Sequence, residues 1–163
     1  MVNLQKDENG TTMPLDPRTK ELSKSVKGRS IAVITSNDAT MEEFKAVGFR
    51  DGSVRIYNSK WQIVEVKHKR KECISELKFS PDGKLLAVGS HDNFIDIYEV
   101  SDTWKLRSVL RAHSSYITHI DWSLDSKYIR STCGAYELLF WDVANGKQMA
   151  HGASELRDCK WAT

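Results

Sequence analysis

Cysteine is scarce in this 163-residue chain: Cys73, Cys133 and Cys159 stand far apart and are odd in number. That excludes a disulfide framework and leads one to expect reduced thiols in a cytosolic protein. Charge of one sign is also lacking. Lys and Arg number 24 against 22 acidic residues, a net charge of +2, too weak to imply nucleic acid by itself. No apolar run approaches the roughly 18 residues of a membrane-crossing helix. The opening stretch MVNLQKDENGTTMPLDPRTKELSK has no hydrophobic core and does not read as a secretory signal. Chemistry-bearing motifs are missing too. No Cys-x-x-Cys pair offers a zinc site, no Gly-x-x-x-x-Gly-Lys loop offers a phosphate cradle, and no nucleophile elbow surrounds a serine. The expectation is a protein with no cofactor and no enzymatic activity.

What the chain does have is short strands separated by turns. Met1 to about Lys27 reads as an irregular lead, with KELSKSV a candidate edge strand. From residue 28 onward the pattern is regular. RSIAVIT, EFKAVGF, SVRIYN and WQIVEVK follow one another, with Asp51-Gly52 as a hairpin signal between the middle two. ISELKFS, KLLAVGS, FIDIYEV and KLRSVLR form a second set, with the turn chemistry of Pro81-Asp82-Gly83 between the first two. YITHIDW, KYIRSTC, YELLFWD and KQMAHG form a third, and ELRDCKWAT reads as the first strand of a fourth.

These sets are copies of one another. SPDGKLLAVGSHDNFIDIYEV (Ser80–Val100) and SLDSKYIRSTCGAYELLFWDV (Ser123–Val143) align without a gap, and FKAVGFRDGSVRIYN is a weaker third copy. Four strands in a unit of about 40 residues, with Trp-Asp closing the third strand, is the pattern of propeller blades. Trp141-Asp142 is that dipeptide, and Ala112-His113 stands where Gly-His is usual. The expected fold is all-β: a partial WD40-type β-propeller over residues 28–163, about three four-stranded blades plus the first strand of another. Such a piece cannot close a ring, so a fragment of a longer propeller with exposed apolar terminal faces is expected.

The pieces GSHDNFIDIY, HSSYITHIDWS, GAYELLFWD and RDCKWAT closely resemble consecutive blades of the echinoderm microtubule-associated protein-like family, in its second propeller, over about Lys45–Thr163. The resemblance implies binding to tubulin or microtubules, in the cytoplasm and cytoskeleton, without catalysis. A reading from another class is a generic WD-repeat scaffold that assembles other proteins on its faces.

Blades of this type carry a buried chain of Trp, Ser or Thr, His and Asp. In the third unit the matching positions hold Trp141, Ser131, His113 and Ala135, which leaves the network without its acid. In the second they hold Tyr98, Val88, Arg70 and Asp92, so only the acid stays. Asp51, Asp92, His113, Ser131, Trp141 and Asp142 are therefore read as structural blade positions. Cys133 and Cys159 read as small buried hydrophobes in strands. A zinc site from His113, His119 and a cysteine is not expected. The one dense single-sign cluster is KHKRK, in the connection between the first two units. Lys67, Lys69, Arg70 and Lys71 are its candidate contacts for an acidic partner, tubulin if the resemblance holds. Too few aromatics flank it for nucleic-acid stacking.

Overall fold

The computed structural model describes strands at 4–6, 12–14 and 31–37, and all of residues 43–163. Strands β1 (Leu4–Lys6) and β2 (Thr12–Pro14) pair into a short ribbon inside the stretch read as an irregular lead. KELSKSV lies outside the described residues. The remaining strands form three antiparallel four-stranded sheets in simple chain order. The first holds β3 (Ile31–Asn37), β4 (Phe44–Phe49), β5 (Val54–Tyr57) and β6 (Ile63–Lys67). The second holds β7 (Ile74–Phe79), β8 (Leu85–Ser90), β9 (Phe94–Glu99) and β10 (Leu106–Arg111). The third holds β11 (Ile117–Trp122), β12 (Tyr128–Cys133), β13 (Leu138–Asp142) and β14 (Lys147–Gln148).

The repeat is structural as well as textual. Each sheet begins with a register shift at the same place, between Ile31 and Val33, Ile74 and Glu76, and Ile117 and His119. Such bulges sharpen the twist of the strand. The first strands pack side by side, β7 between β3 and β11, as inner strands of neighbouring propeller blades do. The expected all-β, partial-propeller architecture is what the chain adopts. The Asp51-Gly52 hairpin closes as expected: Gly52 N–H donates to the Phe49 carbonyl at 3.2 Å, with Gly52 at φ +86°. A Cβ there would stand 2.3 Å from the Arg70 carbonyl oxygen, so this turn presses on the connection into the second blade.

Alternation of side chains along the strands builds two cores between blades, beside a smaller cluster of Val47, Phe49 and Tyr57. Leu86, Val88 and Tyr98 face the first blade and bury Ala46, Val54 and Ile56 together with Trp104. Leu85, Ala87, Ile95 and Ile97 face the third blade and bury Ile117, Ile120, Trp122, Ile129 and Trp141. Trp122 donates its Nε1–H to the Lys78 carbonyl at 3.1 Å, tying the two inner strands.

The end of the chain differs from expectation. β14 is only two residues long, and Gly152–Glu155 form one helical turn. The residues read as a first strand of a fourth unit instead lie back on the third. Trp161 bridges Ser123, Leu124 N–H donates to the Lys160 carbonyl at 2.8 Å, and Ala162 N–H donates to that of Trp122 at 2.8 Å. Cys159 follows the helical turn and is half-buried, not a strand residue; Cys133 is buried in β12. The third sheet's free face is also less apolar than expected. Thr118 and Thr132 share a hydroxyl bond of 2.8 Å there, and Arg130 pairs with Asp121 at 2.7 Å. Trp161 covers part of this face, 4.6 Å from the Arg130 guanidinium and 6.0 Å from Phe140.

Candidate functional site

In all three sheets the second and third strands are joined by a tight turn, and in the first two this turn lies at the same end as the connection to the next blade. Ile74 pairs with Ser90, and Phe94 with Arg111, so these segments share one face of the molecule. Most of the candidate residues lie on or just beneath it; Asp142 lies at the opposite end, where it holds the turn through Asn145 at 2.7 Å.

The third blade carries a complete polar chain. Trp141 can only donate, so its Nε1–H fills one lone pair of Ser131 Oγ at 2.7 Å. Ser131 Oγ lies 2.7 Å from His113 Nε2, and His113 Nδ1 faces the Glu137 carboxylate at 3.3 Å. A carboxylate accepts, so Nδ1 carries the proton and Nε2 accepts from the Ser131 hydroxyl. Glu137 thus supplies the acid that Ala135 lacks, which corrects the expectation of an incomplete network. It also accepts from Ser114 N–H at 3.0 Å, Ser114 Oγ–H at 2.8 Å and Cys133 Sγ–H at 3.1 Å. These donors, Ser114 N–H foremost, hold the Glu137 pKa down at about 2. Burial pushes His113 below its usual value, and its hydrogen bond to Glu137 opposes this only in part.

The order acid, imidazole, hydroxyl is that of an acyl-transfer relay, but the serine is placed differently. Ser131 is 1% exposed and its free lone pair is taken by an indole. No substrate carbonyl can approach it, so the chain pins strands β12 and β13 to the blade-to-blade connection. His113, Cys133 and Glu137 offer three ligand atoms within 4.8 Å of one another. Each already has a partner in the chain, and the hydrogen bonding is complete as it stands. His119 is not part of this group; its Nδ1 faces Glu76 at 3.3 Å.

The second blade solves the same problem with charge. Arg70 occupies the histidine's place. It forks onto Asp96 through Nε at 2.8 Å and Nη2 at 2.5 Å, and reaches Asp92 through Nη1 at 3.1 Å. Asp96 is 1% exposed and the Arg70 side chain 11%. Hydrogen bonds to Asp96 raise the Arg70 pKa despite its burial, while burial pushes the Tyr98 phenol up. Asp92 also accepts from the Ser90 hydroxyl. In the first blade Asp51 accepts from Ser53 N–H at 2.9 Å and Ser53 Oγ–H at 2.5 Å.

The KHKRK stretch therefore divides. Lys67 is the last residue of β6, and its ammonium lies 3.3 Å from the Thr103 carbonyl, 3.6 Å from Glu65 and 5.8 Å from the Tyr98 ring centre. Arg70 points inward and is neutralised. His68, Lys69 and Lys71 are exposed. Sequence reasoning missed Asp96 and Glu137. Asp96 had a legible signal: a lone acid inside FIDIY, a strand buried on both faces, requires a cation. Glu137 lies two residues beyond the position searched, and only the turn geometry brings it to His113.

The family described as echinoderm microtubule-associated protein second beta-propeller matches residues 13–163. Echinoderm microtubule-associated protein-like 4 of Xenopus tropicalis is 41% identical over 122 residues, which is 72% of this chain and 13% of that protein. The ciliary WD repeat-containing protein ctxp80 of Euplotoides octocarinatus is 43% identical over 146 residues, 88% of this chain and 20% of its own length. The 77 kDa echinoderm microtubule-associated protein of Lytechinus variegatus is 42% identical over 125 residues, 74% of this chain and 19% of that protein. The chain thus spans a fifth or less of these relatives.

Proposed function

The chain belongs to the echinoderm microtubule-associated protein family, within the second β-propeller of its members, and from that premise we propose that it is a non-catalytic, microtubule-binding set of WD-repeat blades. The observation that carries the proposal is the identity of 41% and 42% to relatives named as microtubule-associated. The names of these relatives support a location on the cytoskeleton in the cytoplasm. The contact is electrostatic: exposed Lys69 and Lys71, held in place by inward-pointing Arg70, meet an acidic face of tubulin. Charge complementarity of this kind acts mainly on the association rate and weakens with salt.

The test is co-sedimentation of the chain with microtubules at two salt concentrations. Pelleting that falls at high salt, and falls further for Lys69→Glu/Lys71→Glu, is expected. Absence of pelleting at low salt would overturn the proposal. A general scaffold for protein assembly is the second reading. It is favoured by the exposed aromatics Tyr116 and Tyr136 on the same face.

A further inference from the structure

We propose that the outer edge of the first blade, strand β6, is a self-association site: it pairs antiparallel with β6 of a second copy of this chain, about a two-fold axis at Val66. The ladder uses neither Lys69 nor Lys71, so it is tested apart from the microtubule reading.

β6 is the last strand of its sheet, and among the described residues no strand pairs its outer edge. It carries Ile63, Val64 and Val66, which are 45%, 42% and 47% exposed. The outer strand of the second blade, β10, differs: its exposed residues are Arg107 and Arg111, and its apolar ones are buried or half-buried. An uncovered apolar edge is a ready template for another strand. In an antiparallel ladder alternate residues turn their N–H and C=O away from the partner. On β6 that residue is Val66. It stands opposite Arg55, and its N–H donates to Glu65 Oε1 at 2.9 Å. A side chain thus fills the place of a neighbouring strand.

One register of two β6 strands suits both backbone and charge. Opposed residues in an antiparallel pair both turn outward or both inward, so the axis falls on a residue. With the axis at Val66, the two Val66 residues exchange N–H and C=O. Glu65 then stands opposite the second copy's Lys67, and Lys67 opposite its Glu65. These are the closely spaced, non-hydrogen-bonded positions, where opposite charges attract across the strands. Within one chain Lys67 Nζ lies 3.6 Å from Glu65 Oε2. Pairing therefore sets two carboxylates and two ammoniums alternately around the axis, with no net charge. Passing the Val66 N–H to the second copy's carbonyl frees Glu65 Oε1 for the second copy's Lys67. On the other face Val66 meets Val66 and Val64 lies opposite His68. Arg55 turns there to the Phe49 ring, 5.4 Å from its centre.

The other registers fail on charge. An axis at Glu65 sets glutamate against glutamate, one at Lys67 sets lysine against lysine, and one at His68 sets Lys67 against Lys69, all unfavourable. An axis at Val64 forms no charge pair. In the favoured register the two Lys69 residues lie three positions to either side of the axis. They are about 20 Å apart, beyond the screening length of about 8 Å.

The test is sedimentation equilibrium of the chain over a concentration series, with charge variants of the strand. A monomer–dimer equilibrium is expected for the wild type. Glu65→Lys or Lys67→Glu alone puts like charges at both symmetric positions and should raise the dimer dissociation constant by about tenfold. Mixed one to one, the two variants meet with opposite charges and should pair as the wild type does. The double variant Glu65→Lys/Lys67→Glu should also pair. A wild type that stays monomeric overturns the proposal and leaves the edge to a strand of another protein. A dimer that neither single reversal weakens lies on another surface and overturns it as well. Loss of the dimer in both single variants without recovery in their mixture overturns the register, and the proposal with it.

Discussion

The second and third blades share a sequence template yet are buried differently. β8 reads LLAVGS and is buried at every position; β12 reads YIRSTC and is buried at alternate positions. The second blade lies between two neighbours, so both faces of its strands must be apolar or internally paired. In the third, Ile129, Ser131 and Cys133 face inward while Tyr128, Arg130 and Thr132 line the other face. Two-sided burial removes the alternation that marks an ordinary strand. The difference extends to the polar devices inside each blade. The third blade affords a neutral chain of Trp141, Ser131 and His113 ending in the partly exposed Glu137. The second encloses a full ion pair, Arg70 with Asp96, beneath the aromatic face of Phe94 at 4.9 Å. A buried ion pair is costly to break because the surviving charge has no water.

That contrast can be broken most severely at Arg70. Arg70→Ala strands the Asp96 carboxylate and is expected to cost about 3–5 kcal/mol in urea unfolding. Arg70→Met combined with Asp96→Leu should recover most of that loss, since an apolar pair of similar volume replaces the ions. A wild-type midpoint for Arg70→Ala would show that the charge pair contributes nothing.

In the neutral chain the matching change is milder. Trp141→Phe keeps an aromatic ring but removes the donor to buried Ser131, with an expected loss of about 1–3 kcal/mol. Thermal unfolding beside Arg70→Ala ranks the two devices directly, and a larger loss at Trp141 would reverse the comparison.

Acid separates them further. His113 has a lowered pKa in the fold, so the unfolded chain takes up its proton first, and stability falls as pH drops below the ordinary value of 6.5. Glu137 has its pKa lowered from 4.5 to about 2. Its contribution is fully present above the unfolded value and is lost as pH falls through that window. Stability measured against pH should therefore decline in two stages, and Glu137→Gln should flatten the lower one. A profile unchanged by Glu137→Gln would mean that its hydrogen bonds carry no linkage.

The smallest effect is expected on the surface. Lys69→Ala and Lys71→Ala should each leave stability within about 0.5 kcal/mol of wild type, in contrast to Arg70 between them. Differential scanning calorimetry of the three single variants checks this.

Most strand positions were legible from the sequence because alternation and turn chemistry are local. Asp51-Gly52, Pro81-Asp82-Gly83 and the Ser-x-Asp turns at Ser80 and Ser123 each close within a few residues, Ser80 Oγ on Asp82 at 2.6 Å and Ser123 Oγ on Asp125 at 2.6 Å. The repeat itself followed from the same local signals recurring at one spacing. Tertiary structure alone decided which polar groups meet. Arg70 and Asp96 are 26 residues apart, His113 and Glu137 24, and a period of two says which face a side chain takes but not what waits across the gap. The same limit applies to KHKRK, where charge alone could not separate the solvated Lys69 and Lys71 from the inward Arg70. It applies also to residues 152–163, whose strand-like text folds back on the third blade, where Arg130, Phe140 and the edge at Ser123 hold them.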